Sequence, residues 1–261
     1  MWQVAQPVSI AEVRAKSRPG GFGNRARGRR LSTVVPGSIN SAISQRYDAL
    51  AAQETCLSCG SAASRLQPAP GEICVDLGCG RGKDVLSLAA KVGPLGHVFG
   101  LDGSPAMLAT ATAQARFEGV INVTFRQSSL EALELPDASV DWVVSNCALN
   151  HAQDKARVWQ EIARVLKPGA RFVVSDIYAV EAIAEVYRTD PVAVAECWAG
   201  AEPREVYLAH LAHAGLQDVE ISEESQPYRR AHAVLASFTL SGRRPPVPAE
   251  GPELEEKEVV E

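Results

Sequence analysis

An α/β fold with a doubly wound parallel sheet is predicted by three features of the chain. Strand-length apolar runs alternate with stretches of helical apolar spacing, a glycine-rich turn joins the first strand to the first helix, and a second strand ends in an acidic residue some twenty positions further on. Strands are expected to end near Leu77, Leu101, Phe125, Ser145 and Ser175. Between them, Lys83 to Val92, Pro105 to Glu118 and Gln153 to Leu166 carry the 3.6-residue period of helices that cover a sheet. Lys167-Pro168-Gly169 supplies a helix stop before the fifth strand. Val219 to Ser222 and His232 to Leu240 follow without a long helix between them, the pattern of a closing antiparallel pair.

The turn after the first strand fixes the kind of ligand. Ile73-Cys74-Val75-Asp76-Leu77 runs directly into Gly78-Cys79-Gly80-Arg81-Gly82. Glycine there admits a ligand to main-chain contact, and a helix N-terminus follows at once. A dinucleotide site would set a pyrophosphate against this loop, which a carboxylate at Asp76 opposes; Asp76 suits an ammonium group better. Asp102, with Gly103 beside it, ends the second strand where a carboxylate can accept both hydroxyls of a ribose. Ligands of open α/β sheets sit outside the carboxyl ends of the strands, so Ser145, Asn146 and Cys147 face the donor group, and Ser129 and Leu130 meet the adenine. Met107 has two readings, a stacking partner of the adenine or a core residue of its helix. The glycine loop with Asp76 and the strand end at Asp102 together suggest S-adenosyl-L-methionine.

At this point the chain resembles the class I methyltransferases, whose first motif is an Asp-x-Gly-x-Gly-x-Gly run matched by Asp76 to Gly82. The resemblance implies a Rossmann-like, seven-stranded doubly wound sheet with its last strand antiparallel. It places the methyltransferase domain over residues 41–242, with a substrate-binding insertion at about 178–213. The flanks differ in composition: 1–40 is a basic, flexible extension whose Arg-rich start also has the character of a transit peptide, and 243–261 is a disordered acidic tail rich in Pro and Glu.

Composition removes several partner classes. The 261 residues carry a net charge of −5, which offers no global attraction to nucleic acid or to an anionic membrane, and no apolar run approaches a bilayer span. Six cysteines without a secretion signal point to thiols in a reducing cytoplasm. Cys74 reads as a small core residue, and Cys79 fits the glycine loop by its size. Cys56-Leu57-Ser58-Cys59 could be half a zinc site or a redox pair, but no second Cys-x-x-Cys completes a four-ligand zinc site, and the motif does not open a helix after a strand. Cys147 closes the fourth strand over the donor site, and Cys197 lies in the segment after the fifth strand.

Several thiols converging on a sulfonium donor suggest a soft, thiophilic acceptor; trivalent arsenic prefers sulfur ligands and keeps a nucleophilic lone pair. The resemblance narrows accordingly. Val144-Ser145-Asn146-Cys147, Asp154-Lys155, Arg164 to Gly169, Ser175-Asp176, Glu196-Cys197-Trp198-Ala199-Gly200-Ala201 and Cys59-Gly60 ahead of Pro70-Gly71-Glu72 are similar to the arsenite S-adenosylmethionine methyltransferases. That resemblance implies Cys59, Cys147 and Cys197 as the three arsenic(III) ligands, and Cys56 as the upstream cysteine that pairs with Cys59 during turnover, at a shorter spacing than the family shows. It implies arsenite or methylarsenite as thiol conjugates, thioredoxin or glutathione as reductant, and a monomer. Asn150-His151 departs from the family, which has an apolar residue after the asparagine; Gly169-Ala170 replaces paired glycines, and the family's cysteine-rich C-terminal domain is missing.

Two other readings stand beside it. His151 as a general base would fit a small organic acceptor, while as a partly exposed loop residue it would carry no chemistry. A thiol-based metalloid-binding protein with a vestigial donor site is the third possibility. His210 and His213, one helical turn apart, lack a third metal ligand nearby and read as a surface face.

Overall fold

The computed structural model describes residues 38–53 and 62–247. Helix α1 (Ile39–Leu50) starts at Ser38, whose hydroxyl accepts the Ser41 amide, and the short α2 (Ala62–Arg65) precedes the first strand. Then β1 (Ile73–Leu77), α3 (Lys83–Val92), β2 (His97–Asp102), α4 (Pro105–Phe117), β3 (Val123–Gln127) and β4 (Val140–Asn146) follow in turn. After a short 3-10 turn at Leu149–His151 come α5 (Lys155–Val165) and β5 (Leu166–Ala179). The segment beyond it holds α6 (Glu185–Arg188), α7 (Pro191–Ala195), a second 3-10 turn at Trp198–Gly200 and α8 (Arg204–His213). The chain closes with β6 (Gln217–Glu224), β7 (Tyr228–Arg230) and β8 (Ala233–Arg243).

The strands form one sheet in the order β3-β2-β1-β4-β5-β8-β6, with β7 paired to β8. Strands β1 to β5 pair in parallel, and β8 lies antiparallel between β5 and β6. The doubly wound sheet with an antiparallel last strand is therefore the expected one, with a single addition: three-residue β7 forms a hairpin with β8 and makes an eighth strand. Lys167-Pro168-Gly169 does not form a separate loop. It lies inside β5, where Gly169 at φ 80° and a register break opposite Val140 and Trp142 absorb the stop signal. Strand β5 also runs four residues past Ser175, because its backbone stays paired with β8 up to Ala179.

Side-chain alternation splits the core into two layers. Val75, Leu77, Val143, Phe172 and Val174 pack under Trp159 and Ile162 of α5 and Tyr207 and Leu211 of α8. Cys74, Val144 and Val173 face the other way, onto Val85, Leu88 and Val92 of α3. Cys74 is the core residue expected, and burial pushes its thiol up to about 12, with Glu72 and Asp141 adding to the shift. A third cluster joins the end of β5 to the segment after it, uniting Ile177, Val194, Cys197, Trp198 and Leu235, with Ile39 and Ile43 of α1 packed against it. Both crevice walls, the strand ends and the β5-to-β6 segment, are thus bound to α1.

Candidate functional site

The glycine loop is held by backbone bonds before any ligand is considered. The Gly78 and Cys79 amides both donate to the Leu101 carbonyl, at 2.7 and 3.0 Å, tying the end of β1 to the end of β2. Gly78 has φ 73°, and a Cβ there would collide with the Cβ of Ala148, the residue after Cys147. Only glycine lets the loop approach the end of β4 this closely. By contrast, nothing lies within 4 Å of where a Cβ would sit at Gly80 or Gly103, so these positions border open space. Those two openings flank the Asp102 carboxylate, which accepts the Gly80 amide on one oxygen and the Ser104 amide on the other, both at 2.8 Å. Burial raises the Asp102 pKa despite those amides, and Asp48 reinforces the shift.

Asp76 is almost wholly buried, and burial, then the neighbouring Asp84 and Asp102 carboxylates, hold its pKa well above the usual carboxylate range. Three carboxylates share this corner, an arrangement that a cation would relieve. Asn146 faces the same corner: its amide nitrogen donates to Asp84 at 2.6 Å and its oxygen accepts the Ala62 amide at 3.1 Å. Ser145 is turned elsewhere. Its hydroxyl is fully buried and donates to the Leu77 carbonyl at 2.9 Å, which stitches β4 to β1 and removes it from the crevice where it was expected. Cys79 is buried against α3 and Gly100, and burial raises its thiol well above the usual value. Met107 is fully buried, in keeping with the core reading; Ser129 is exposed and donates to Glu131 at 2.5 Å, with Leu130 half-buried beside it. The open loop and its carboxylates fit an adenosine-type donor bearing an ammonium group.

Fifty residues apart in sequence, Cys147 and Cys197 meet. The Cys197 thiol lies 3.7 Å from the Cys147 carbonyl oxygen. Both residues have positive φ, 54° for Cys147 and 74° for Cys197, a region that L side chains rarely adopt. The Cys147 amide donates to the Ser175 carbonyl, and the Cys197 amide to the Val194 carbonyl. Cys56 and Cys59 lie outside the described residues, as do the basic and acidic ends.

Beneath the pair lies a polar layer that sequence inspection does not reveal. Asn150, fully buried, donates to Asp176 and to the Ile177 carbonyl, while its side-chain oxygen has no hydrogen-bond partner among the described residues. Buried Lys155 donates to the Ala152 carbonyl, and burial lowers its pKa against the pull of Glu202 and Asp176. His210 bonds Glu202 at 2.9 Å and His213 is exposed, so the two do not act as a pair. Helix α1 supplies the other missed residues. Asp48 accepts the Ser104 hydroxyl at 2.5 Å, and Tyr47 lies 2.8 Å from His151 Nε2. No local motif marks either one; only the packing of α1 across the strand ends brings them in.

His151 lies partly exposed on the 3-10 turn, as one of its two readings has it, and its ring is held rather than left free to act as a base. Its Nδ1 faces the Val194 carbonyl at 3.2 Å and its Nε2 faces the Tyr47 hydroxyl, so both ring nitrogens are engaged. Burial lowers its pKa from 6.5 to about 4. Between those values the unfolded chain takes up a proton that the folded chain refuses, so this contribution to stability is complete above about pH 6.5 and is lost as pH falls toward 4. Chemical denaturation of His151→Gln at a series of pH values should give a shallower decline across that window than the parent shows; equal slopes would count against it.

Comparison with known proteins supplies a family context. Residues 69–232 match a family model described as a methyltransferase domain. An arsenite methyltransferase of Halobacterium salinarum is 36% identical over 198 residues, covering 72% of this chain and 51% of that protein. Another, from Aquipseudomonas alcaligenes, is 39% identical over 173 residues, covering 62% and 49%. The chain thus spans about half the length of the curated relatives it matches. Among solved structures, an arsenic(III) S-adenosylmethionine methyltransferase from Chlamydomonas reinhardtii superposes with a TM-score of 0.64 at 31% identity, over 82% of this chain and 75% of that one. A Bacillus subtilis protein at 19% identity and TM-score 0.57, covering 69% of this chain and 94% of its own, shares the fold.

Proposed function

The chain belongs to the arsenite S-adenosylmethionine methyltransferase family, and on that premise we propose that it methylates trivalent arsenic, taken as arsenite or methylarsenite from thiol conjugates, in arsenic detoxification. The observation that carries this reading is the approach of Cys197 to Cys147 beside the glycine loop, two soft ligands drawn from distant parts of the chain. Cys59, Cys147 and Cys197 are the proposed arsenic ligands, with Cys56 as the partner of Cys59 in thiol–disulfide exchange. For the donor, Asp76 would offset the ammonium charge and Asp102 would accept from the ribose. Gly78, Cys79, Gly80 and Gly103 would form its floor, and Ser129, Leu130 and Asn146 its sides, with Met107 behind them in the core.

S-Adenosylmethionine, when bound, supplies an electrophilic methyl group. The cysteines would hold arsenic so that its lone pair faces that carbon, and positioning is the main catalytic demand. Arsenic has no proton to lose before attack, so no general base is required, consistent with a His151 that is held on both nitrogens. Transfer leaves arsenic formally pentavalent, and thioredoxin or glutathione is the proposed source of the electrons that return it to the trivalent state. Among the described residues no helix is long and apolar enough to cross a membrane; a reducing cytoplasm is the compartment in which such thiols would stay ligand-competent.

The test is turnover of methyl-labelled S-adenosylmethionine by the purified, reduced protein with arsenite and glutathione, the arsenic species being separated by chromatography. Labelled methylarsenic products are expected. Tight donor binding without any methylated arsenic would overturn the reading.

A further inference from the structure

We propose that Tyr47 and His151 are positioning residues for the acceptor site, forming with the Val194 carbonyl a hydrogen-bonded line that sets the backbone of Cys197. The inference rests on reading Cys197 as an arsenic ligand, and it gives His151 a structural task in place of a catalytic one.

The direction of the line follows from its ends. A carbonyl oxygen only accepts, so His151 Nδ1 carries the proton that meets Val194 at 3.2 Å. The neutral ring then presents a lone pair at Nε2, and the Tyr47 hydroxyl, 2.8 Å away, donates to it. The burial that holds the ring's pKa near 4 keeps it neutral across the physiological range, and the Val194 carbonyl fixes which nitrogen carries the proton. The Val194 carbonyl is also the acceptor for the Cys197 amide, at 2.9 Å. One oxygen therefore receives both the line from α1 and the amide of a residue at φ 74°.

Three segments far apart in sequence are joined this way: α1, the turn after β4, and the end of α7. The Tyr47 and His151 rings also meet edge to face, with centroids 5.3 Å apart, which fixes the hydroxyl direction. Next to Tyr47, Asp48 holds Ser104, whose amide bonds the Asp102 carboxylate. The helix that steadies Cys197 is thereby anchored at the proposed donor end. Ligand sulfurs must be placed to within about half an ångström to share one arsenic atom, and a cysteine in left-handed backbone needs support from outside its own turn.

The experiment uses the full chain with Tyr47→Phe, His151→Phe, their combination, and His151→Gln, whose amide can still donate to Val194 and accept from Tyr47. Iodoacetamide labelling of Cys197, resolved by peptide mass spectrometry, should speed up about fivefold in each Phe variant and return to within about twofold of the parent in His151→Gln. The arsenite KM should rise about tenfold in the Phe variants while kcat falls less than about threefold, and the combined variant should be no worse than the singles. Unchanged labelling in both Phe variants, additive losses, or a Gln variant as impaired as Phe would overturn the proposal. A parent protein that methylates no arsenite would sink the arsenic reading, while the labelling arm would still decide the positioning role. Tyr47→Phe removes a single oxygen, so it keeps the test open if His151→Phe fails to fold.

Discussion

Cys147→Ser or Cys197→Ser should abolish arsenic methylation while sparing donor binding. Serine is close to cysteine in shape, and its hydroxyl can keep the donor role that the Cys197 thiol has toward the Cys147 carbonyl, so β4 and the turn at Trp198 should form as before. It replaces a soft, polarisable ligand with a hard oxygen that trivalent arsenic holds poorly. A loss of at least about 100-fold in kcat/KM for arsenite is expected, equivalent to about 2.7 kcal/mol of transition-state stabilisation. S-Adenosylhomocysteine affinity measured by calorimetry should stay within about twofold, because Asp76, Asp102 and the loop glycines are untouched. A serine variant that still methylates arsenite at the parent rate would remove Cys147 or Cys197 from the ligand set. One that lost arsenite but methylated an organic acceptor would favour the alternative reading in which the cysteines merely line the pocket.

Gly200→Ala should be nearly as damaging by a purely steric route. A Cβ at Gly200 would run into the Asn150 carbonyl oxygen, a backbone atom that cannot swing aside. The contact joins the turn that follows Cys197 to the turn that follows Cys147, and the Asn150 side chain below it is tied to Asp176 and Ile177. Forcing these turns apart should cost about 2–3 kcal/mol, as overpacking of a filled interior does. For a chain of this size that lowers the melting temperature by about 5–10 °C. Arsenite binding should weaken more than donor binding, since the displacement separates Cys197 from Cys147 and leaves β1 and β2 in place. Thermal melts and paired titrations would test this; an unshifted melt would mean that the turns can slide without cost.

The donor side of the site was legible because it is local. Asp76, the three loop glycines and the helix beginning at Lys83 follow one another without a break, and Asp102 ends the adjacent strand. The acceptor side depends on distant encounters. Cys147 and Cys197 could be suspected from residue type, yet no sequence pattern records that both take up left-handed backbone. Tyr47 meets His151 across 104 residues, and neither has a neighbour that marks the contact. Ser145 was misplaced for a related reason: its hydroxyl is taken up by the Leu77 carbonyl of the neighbouring strand, 68 residues away, while Asn146, one position on, turns to the other face and meets Asp84. The fifth strand was drawn too short because its length is set by pairing with β8, and β8 lies at the other end of the chain.

The backbone angles of the two cysteines bear on how this sequence can drift. Left-handed conformations cost a non-glycine residue on the order of 1–3 kcal/mol, whereas glycine adopts them freely. Measured against the 5–15 kcal/mol that holds a typical domain together, the pair gives up a sizeable share of the fold's stability to keep two sulfur atoms where they are. Selection for stability alone would therefore push both positions toward glycine, and only a requirement for sulfur would hold them. Among descendants of this chain released from that requirement, Cys147 and Cys197 are the positions where loss of the old chemistry would be rewarded by a sturdier fold.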